Sequence, residues 1–368
     1  MTRRLKRRFY GALFPLYRAL FPTTVARGAF VSRAARRLLV VRNDRIGDLI
    51  LTTPALDELR ALAPHAEIDV LASASNARLL VHDARVAQVH VHDGTAGGLV
   101  RLRRALRARR YDAVFSFIPG DSLRQGAAAA FAAPGGTARV SIWRAKRYHG
   151  FFTRVVRLPR SLQTGPVGAQ LVGVVRAAFG ARLDERMPTP SLAIPTEARE
   201  AAAIFAARHE GAPLVVVNLW AAGAERTWSV EECARALRAV GARHASWRFV
   251  LIPAPSNARE AERLRAMLPD GRVDVYAPSA PLLEVAALVA RAAMVVTPDT
   301  MVLHLAAAAR RPVVWLATTA NRSDPTMWRP VGVPERALVT ADGAPVRAIH
   351  GDRVAAAVES LANELHLA

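Results

Sequence analysis

The residue types best suited to chemistry occur in a polar segment that directly follows an apolar run late in the chain. Residues 297–304 read Thr-Pro-Asp-Thr-Met-Val-Leu-His, and an alanine-rich stretch comes next. This pattern predicts a buried strand, a turn and a helix, with Asp299 as the helix N-cap and with Thr300 and His304 on one helix face. The free N–H groups and the dipole at the start of such a helix favour an anion. The plainer interpretation is a capped crossover helix with a structural histidine.

A second polar turn lies far upstream, again after an apolar run. Residues 42–48 read Arg-Asn-Asp-Arg-Ile-Gly-Asp and precede an apolar helical pattern. Asp48 falls at the carboxyl end of the predicted parallel strand, and open α/β sheets bind ligands at such ends. A helix cap is the plainer interpretation of a single aspartate in this turn. Together the two turns indicate a pair of sites that face each other across a cleft.

Strands and helices alternate along the chain, which is typical of parallel sheets covered by helices. The strands are predicted at residues 38–42, 67–72, 87–91, 112–117, 138–142, 213–218, 247–252, 272–276, 293–297 and 312–317. The helices are predicted at residues 54–62, 75–83, 97–109, 121–132, 165–180, 197–208, 229–240, 256–267, 281–290, 300–310 and 352–365. A proline-rich stretch indicates a link between two domains. The predicted extension, first domain, linker, second domain and C-terminal helix span residues 1–37, 38–185, 186–198, 199–350 and 351–368. We place the C-terminal helix against the first domain.

Length and composition limit the class of protein. With 368 residues, of which 52% are apolar, the chain can bury the cores of two domains of ordinary size. Its single cysteine, Cys233, excludes an intramolecular disulfide and a cysteine-cluster metal site, so a reducing cytosolic setting is expected. No apolar run approaches the roughly 20 residues that a spanning helix needs. No signal peptide is predicted either, because Pro15, Tyr17 and Arg18 interrupt the early apolar run.

The formal net charge of +21 is unusually high. Residues 1–37 hold ten basic residues and no acidic ones, and aromatic residues are interleaved with them. This composition suits an anionic membrane surface, with the rings at the level of the headgroups. A solvated charged face is the plainer interpretation, and nucleic-acid binding is the other standard one. A second basic cluster consists of Arg101, Arg103, Arg104, Arg107, Arg109 and Arg110.

The two turns and a third motif between them resemble glycosyltransferase family 9, the heptosyltransferases that build the inner core of lipopolysaccharide. The resemblance covers the chain from about Leu38 to Pro330. A Tyr-Asp pair before an apolar strand, at residues 111–115, and a polar segment with Arg124 also match the family. The motifs are Arg42, Ile46-Gly47-Asp48 and Thr53-Pro54-Ala55-Leu56, then Asn218, Gly223 and Arg226-Thr227-Trp228, and last Asp299-Thr300, His304-Leu305-Ala306-Ala307 and Pro312.

The resemblance implies a GT-B architecture, in which two doubly wound Rossmann-like α/β domains face a central cleft. The first domain would bind the acceptor and the second domain the nucleotide sugar. The implied reaction is inverting transfer of heptose from an ADP-sugar donor to the anionic lipid-A core of lipopolysaccharide or lipooligosaccharide. No cofactor is required, although a divalent cation could take part, and no specific nucleic acid is a partner. The implied location is cytoplasmic, on the inner face of the cytoplasmic membrane, with residues 1–37 on the anionic membrane surface.

The resemblance also assigns roles to single residues, with Asp48 as the general base. The family usually has lysine at the position of Arg226 and glycine at that of Met301, so this chain departs from the pattern twice. Arginine keeps the charge and adds bidentate geometry toward phosphate. The donor-phosphate residues are Arg226, Gly223, Thr300 and His304, with Asp299 at the donor sugar or the helix start. The nucleoside residues are Ser256, Asn257 and Glu260, and the acceptor residues are Arg45, Gly47 and Arg124.

Two alternatives remain open at this point. The same fold could use another nucleotide sugar or another acceptor, such as an O-antigen or capsule glycan, and the departures at Arg226 and Met301 favour this hypothesis. A non-catalytic nucleotide- or nucleic-acid-binding protein is the other, and it rests on the net charge alone. The chain has no signature of a nucleic-acid-binding module. For Ser256, a cap on the following helix explains much of the pattern without a ligand.

Overall fold

In the computed structural model, the chain forms two compact α/β units, Met1–Pro188 and Thr189–Ala368. The boundary between them falls inside the predicted linker. The structure describes residues 24–91, 95–117, 123–133, 137–142, 151–183, 188–209, 211–268, 271–320 and 324–367. Side chains are not described at 96, 123–127 and 342.

The first unit alternates strands with helices, as the sequence predicts. Its strands are β1 Thr24–Val25, β2 Arg37–Arg42, β3 Glu67–Ala72, β4 Gln88–Val91, β5 Ala113–Ser116, β6 Ala138–Ile142 and β7 Arg154–Val156. Its helices are α1 Ile46–Ile50, α2 Thr53–Leu62, α3 Ala74–Ala77, α4 Ala96–Ala108, α5 Leu123–Ala132, α6 Arg160–Gln163 and α7 Val167–Ala178.

The seven strands that the structure describes in the first unit form one sheet, in the order β1-β7-β6-β5-β2-β3-β4, and every neighbouring pair is parallel. The central strand β2 is fully apolar at residues 38–41, which are 0% exposed because helices cover both faces of the sheet. The strand order reverses between β2 and β5. This reversal is a topological switch point, where doubly wound sheets leave a crevice for ligands.

Part of the predicted N-terminal extension belongs to this sheet. β1 pairs with β7 through Thr24 and Val25, and the N–H groups of Phe30 and Val31 both donate to the carbonyl of Ala178, at 2.9 and 3.0 Å. β1 is not predicted from the sequence because two residues are too few for a periodic pattern. Residues 1–23, which hold the remainder of the extension, lie outside the described residues.

A buried polar network joins three elements of the first unit near the start of its strands. The Asp69 carboxylate accepts hydrogen bonds from the hydroxyl of Tyr111 at 2.7 Å and from Nε of Arg109 at 2.8 Å. His90 Nε2 lies 3.3 Å from the same carboxylate. Burial alone would raise the pKa of Asp69, but the bonds from His90, Arg109 and Tyr111 outweigh it and lower the pKa below its usual value.

The second unit repeats the pattern of the first. Its strands are β8 Leu214–Val217, β9 Arg248–Leu251, β10 Val273–Val275, β11 Met294–Pro298, β12 Val313–Thr318 and β13 Glu335–Thr340. Its helices are α8 Thr196–Ala207, α9 Val230–Arg243, α10 Ala258–Ala266, α11 Leu282–Arg291, α12 Met301–Ala308, α13 Pro325–Trp328 and α14 Gly351–Glu364. β13 was not predicted, because its partly exposed residues and polar ends lack an apolar run.

The second sheet is also wholly parallel and has the order β10-β9-β8-β11-β12-β13. Numbered within the unit, this order is 3-2-1-4-5-6, the classical dinucleotide-binding arrangement. Its switch point lies between β8 and β11. The motif with Asn218 follows β8, and the motif with Asp299 follows β11, so the fold brings the two motifs together at one edge of the sheet.

The C-terminal helix α14 belongs to the second unit, whereas the sequence analysis placed it against the first domain. It packs on α9, and Val354, Val358 and Leu361 join the core of the second unit. The two helices lie close together at Gly351, the first residue of α14, whose N–H donates to the Glu232 carboxylate at 2.6 Å. The amphipathic pattern of α14 required a partner, but the pattern alone could not identify which unit supplies it.

No helix within the described ranges is both long enough and apolar enough to cross a membrane.

Candidate active site

The switch point of the first sheet is organised around a buried arginine. Arg42 ends β2, and its side chain is 0% exposed. Its Nε donates to the main-chain carbonyl of Asp48 at 3.0 Å, and its Nη1 donates to the carbonyl of Phe117, which follows β5. The guanidinium thus ties the turn after β2 to the end of β5. A buried charge of this kind needs carboxylate partners, because isolation from water is costly.

Two carboxylates provide that partnership. Asp44 Oδ2 lies 3.3 Å from Nη1 of Arg42, and Asp48 Oδ1 lies 3.4 Å from Nη2. The sequence predicts a role for Asp48 but not for Asp44, although both lie in the same turn. Burial, with a smaller contribution from the neighbouring Asp48, raises the pKa of Asp44 to about 6, although Arg42 acts to lower it.

Asp48 is free of the plainer role of a helix cap. It lies in the first turn of α1, where the residue at the N-cap position is Arg45 and no side chain caps the helix. The Asp48 side chain is turned to Arg42 instead and is 13% exposed. Among the other predicted acceptor residues, Gly47 lies within α1 and Arg45 is exposed at its start. Arg124 belongs to α5, but its side chain lies outside the described residues.

At the second switch point, Asn218 links the two motifs. Its Nδ2 lies 3.0 Å from the hydroxyl of Thr297 and 3.2 Å from that of Thr300, and it also donates to the carbonyl of Trp220 at 3.1 Å. Asn218 is 5% exposed, so these bonds satisfy a buried amide. The contacts hold the loop after β8 against the start of α12.

Thr300, not Asp299, is the N-cap of α12, which corrects the sequence prediction. The Thr300 hydroxyl accepts a hydrogen bond from the N–H of Val302 at 3.2 Å. Asp299 stands one residue before the cap, and its carboxylate is therefore available to another group. The strand is predicted to end at residue 297, but β11 extends through Pro298. The helix cap therefore falls at residue 300 and not at residue 299.

Arg226 is the group that meets Asp299. Its Nη1 donates to the Asp299 carbonyl at 3.1 Å and lies 3.9 Å from Oδ2 of the same residue. Both side chains are 22% exposed, which leaves the guanidinium accessible to a ligand at the start of α12. The loop that carries Arg226 is anchored by Trp228, whose indole N–H donates to the carbonyl of Ile349 at 2.8 Å. Arg226 is therefore not an isolated surface side chain.

The remaining donor-phosphate residues have more restricted roles. His304 lies on α12 as predicted and is only 4% exposed. Met301 is the first residue of α12 and is absent from the described residues with positive φ, so the backbone here does not require glycine. Gly223 has an ordinary φ of −120°, and a side chain there would meet the Glu225 carboxylate, 2.4 Å from the added Cβ.

The three predicted nucleoside residues follow β9, next to β8 in the sheet. Glu260 accepts a hydrogen bond from the indole N–H of Trp220 at 2.7 Å, so it is tied to the loop that carries Asn218. Ser256 and Asn257 bond to each other at 3.2 Å, and neither side chain caps the start of α10. The helix-cap interpretation of Ser256 is thus wrong, and its exposed hydroxyl stays available at this edge.

The second edge therefore presents one guanidinium, a hydroxyl and main-chain N–H groups at a helix start, which is a set of groups suited to an anionic diphosphate. The first edge presents two carboxylates and a buried arginine, a set suited to proton transfer. Within the part of the chain that the structure describes, no group of three or more His, Cys, Asp or Glu side chains could hold a metal ion.

A protein-family model matches residues 99–345, which is more than half of the chain. Its description is glycosyltransferase family 9 (heptosyltransferase). The matched stretch includes the Arg226 and Asp299 motifs and begins after the turn with Asp48. No curated protein sequence matches the chain.

Several solved structures are similar to the whole chain. A family 9 glycosyltransferase from Veillonella parvula DSM 2008 has a TM-score of 0.74 and 21% identity, over 89% of this chain and 97% of that one. The E. coli ADP-heptose lipopolysaccharide heptosyltransferase II has a TM-score of 0.72 and 21% identity, over 90% and 99%. E. coli heptosyltransferase WaaC with ADP has a TM-score of 0.69 and 20% identity, over 88% and 99%.

At these identities the similar structures bear on the fold, and the prediction of a GT-B type α/β protein with two doubly wound units is confirmed. The family assignment comes from the model that spans the second switch-point motifs. The chain belongs to glycosyltransferase family 9, the heptosyltransferases, and is a glycosyltransferase.

Proposed function

We propose that the protein transfers heptose from ADP-heptose to the inner core of lipopolysaccharide or lipooligosaccharide, with inversion at the anomeric carbon. The observation that carries this proposal is the contact of Arg226 with Asp299 at the start of α12, 3.1 Å from Nη1 to the carbonyl. It gathers a cation and a helix N-terminus at the switch point of a dinucleotide-binding sheet.

The second unit binds the donor in this proposal. Arg226 takes the diphosphate, because a guanidinium matches two phosphate oxygens at once and stays charged at every physiological pH. The N–H groups at the start of α12 and the Thr300 hydroxyl add further donors. As the bond to the leaving diphosphate lengthens, negative charge grows on its oxygens, and fixed donors stabilise that charge more than the ground state.

Asp48 is the general base of the proposed reaction. The acceptor hydroxyl oxygen forms a bond to the anomeric carbon while the bond from that carbon to the diphosphate breaks. The hydroxyl proton passes to the Asp48 carboxylate, and ADP leaves with the electron pair of the broken bond. The Asp48 side chain is held by Arg42 at 3.4 Å, so it keeps one orientation without a side-chain cap to compete for it.

We propose further that the protein works on the inner face of the cytoplasmic membrane. Six basic residues and no acidic ones lie in residues 1–23, at Arg3, Arg4, Lys6, Arg7, Arg8 and Arg18. Each basic residue near an anionic surface contributes about 1 kcal/mol to binding. A lipid-linked acceptor carries its own anionic groups at the same surface, so the enzyme and the acceptor would meet there.

Two measurements test the proposal. Calorimetric titration with ADP, UDP, GDP, dTDP and CMP is expected to show selective ADP binding. Incubation with ADP-β-heptose and a heptose-free inner-core acceptor should then give an α-linked product by NMR. Asp48→Asn is expected to reduce transfer at least about 100-fold, as loss of a general base implies, while ADP affinity changes little. Asp57→Asn neutralises an aspartate paired with Arg85 on the same unit and serves as the control.

The second candidate is the same reaction with another nucleotide sugar, which the bulky Met301 at the first position of α12 favours. Preferential binding of another nucleotide would support this candidate and keep Arg226 and Asp48 in their roles. Absence of nucleotide binding, or full transfer by Asp48→Asn, would contradict the proposed mechanism.

A further inference from the structure

The turn between β2 and α1 holds an uneven set of charges. One guanidinium, that of Arg42, lies between two carboxylates, Asp44 at 3.3 Å and Asp48 at 3.4 Å. A single positive charge cannot neutralise two negative ones. When both carboxylates are ionised, the buried cluster therefore carries a net negative charge, which a proton removes.

Asp44 is the less well compensated member of the pair. Its Oδ1 is buried and has no hydrogen-bond partner, while its Oδ2 faces Arg42. Ionised carboxylate oxygens normally accept several hydrogen bonds, so an oxygen with none favours the protonated form. Burial together with Asp48 raises the pKa of Asp44 to about 6, even with Arg42 opposing the shift.

The hydrogen-bonding groups around Asp44 and Arg42 that other elements supply are uncharged. From α3, the Ser73 hydroxyl bonds to the Asp44 carbonyl at 3.4 Å, and the Asn76 amide bonds to the Arg42 carbonyl at 3.0 Å. From the end of β5 comes the main-chain carbonyl of Phe117. Among the residues that the structure describes, the charged groups that act on Asp44 are thus Arg42 and Asp48.

We propose that Asp44 is a positioning residue for the transfer reaction: it shares the Arg42 guanidinium with Asp48 and, when ionised, places a second negative charge there that makes Asp48 a stronger base. This inference rests on the proposed function, because it gives the proposed base a partner. Asp44 does not need to touch the acceptor. It acts through the charge that it places beside Asp48 and through the common guanidinium that fixes both side chains.

The pH dependence follows from the charge of Asp44. Above about pH 6 Asp44 is ionised, and its negative charge favours the transfer of the acceptor proton to Asp48. Below that pH Asp44 is protonated and this charge is lost, so transfer slows. The acidic limb of the profile of kcat/KM should therefore lie near pH 6 in the wild-type protein.

The test is the pH profile of transfer for Asp44→Asn, with ADP-heptose and the heptose-free acceptor as substrates. Asparagine keeps the shape and removes the charge, so the acidic limb should move down by one pH unit or more, and the plateau of kcat should fall about tenfold. The matched control is Asp57→Asn, an aspartate on α2 whose side chain is 54% exposed, and it should leave both quantities unchanged. Asp44→Glu restores the charge and should return the limb toward pH 6.

Two results would overturn the inference. One is an Asp44→Asn profile whose limb coincides with that of the wild type, even at a lower plateau, because a purely structural residue lowers the rate at every pH. The other is a ¹³C titration of the wild-type aspartate carboxyls that finds no group titrating near pH 6; this measurement needs no variant to fold. Failure of the proposed function appears differently, as absence of nucleotide binding by the wild type or as full activity of Asp48→Asn at all pH values.

Discussion

Arg226→Ala offers the most direct test of the donor site. The guanidinium donates to the Asp299 carbonyl at 3.1 Å and lies 3.9 Å from its carboxylate. Because Arg226 already has these contacts and its side chain is 22% exposed to water, a bound diphosphate gains only part of the full charge-assisted interaction. Such hydrogen bonds contribute about 1.5–3 kcal/mol. We therefore expect a loss of about 2 kcal/mol, which is roughly a 30-fold increase of the Kd for ADP.

Calorimetry with ADP measures this loss, and two variants sharpen it. Arg226→Lys keeps the charge but loses the fork of donors, so its Kd should rise only several-fold. Arg265→Ala removes an arginine of α10 that pairs with Glu262 and is 52% exposed, and it should bind ADP like the wild type. The loss in Arg226→Ala should shrink as salt is added, because screening weakens the contact in the wild type.

Asp299→Asn is expected to act in the opposite direction. The carboxylate competes with a diphosphate for Arg226 and repels its charge, so neutralising it should tighten ADP binding, while the carbonyl that holds Arg226 remains. If instead Arg226→Ala binds ADP as tightly as the wild type does, the reasoning is refuted and Arg226 does not contact the diphosphate. Weaker binding in Asp299→Asn would show that the carboxylate itself holds the ligand.

Three further predictions concern stability and location. Gly351→Ala should destabilise the second unit by about 1–3 kcal/mol, since the added Cβ would lie 2.3 Å from the Glu232 carbonyl; thermal unfolding measures this, and an unchanged Tm would contradict the close packing of α14 on α9. Tyr111→Phe should cost about 1–3 kcal/mol near neutral pH, because Asp69 loses a buried bond of 2.7 Å. Because its pKa is lowered in the folded protein, the Asp69 carboxylate stabilises the fold at pH values above 3.8, its unfolded pKa, and this contribution is lost as the pH falls further. Acid unfolding of Tyr111→Phe at a lower pH than that of the wild type would contradict this prediction. Deletion of residues 2–22 should abolish cosedimentation with phosphatidylglycerol vesicles and leave ADP binding intact, whereas retained cosedimentation would place the membrane contact elsewhere.

The sequence was sufficient for most of the fold because parallel strands buried on both faces are continuous apolar runs. β3 and β6 have their predicted bounds, and the other predicted strands differ by one or two residues. The elements that were missed carry no such signal. β1 and β7 are only two and three residues long, and β13 alternates between partly exposed and exposed positions at a sheet edge.

The site was predictable where a motif fixes one residue and less so where several side chains must meet. Asp48 and Arg226 stand in motifs, and the structure gives both a buried or half-buried partner. Asp44 was missed because its role depends on the burial of Arg42, which no spacing reveals. A fully apolar strand that ends in arginine is nevertheless a signal, since such a charge requires carboxylates nearby.

Without its edge strand β1, the first sheet has the same strand order as the second, and the chain passes from one unit to the other once, between Pro188 and Thr189. Each half therefore carries a complete sheet and a complete switch-point loop on one continuous stretch of gene. A single recombination event at this junction could exchange one half for that of a relative without cutting through either core. Under the proposed division of labour, such an exchange would give an enzyme a new acceptor while it kept its donor, which offers glycan diversity a short evolutionary route.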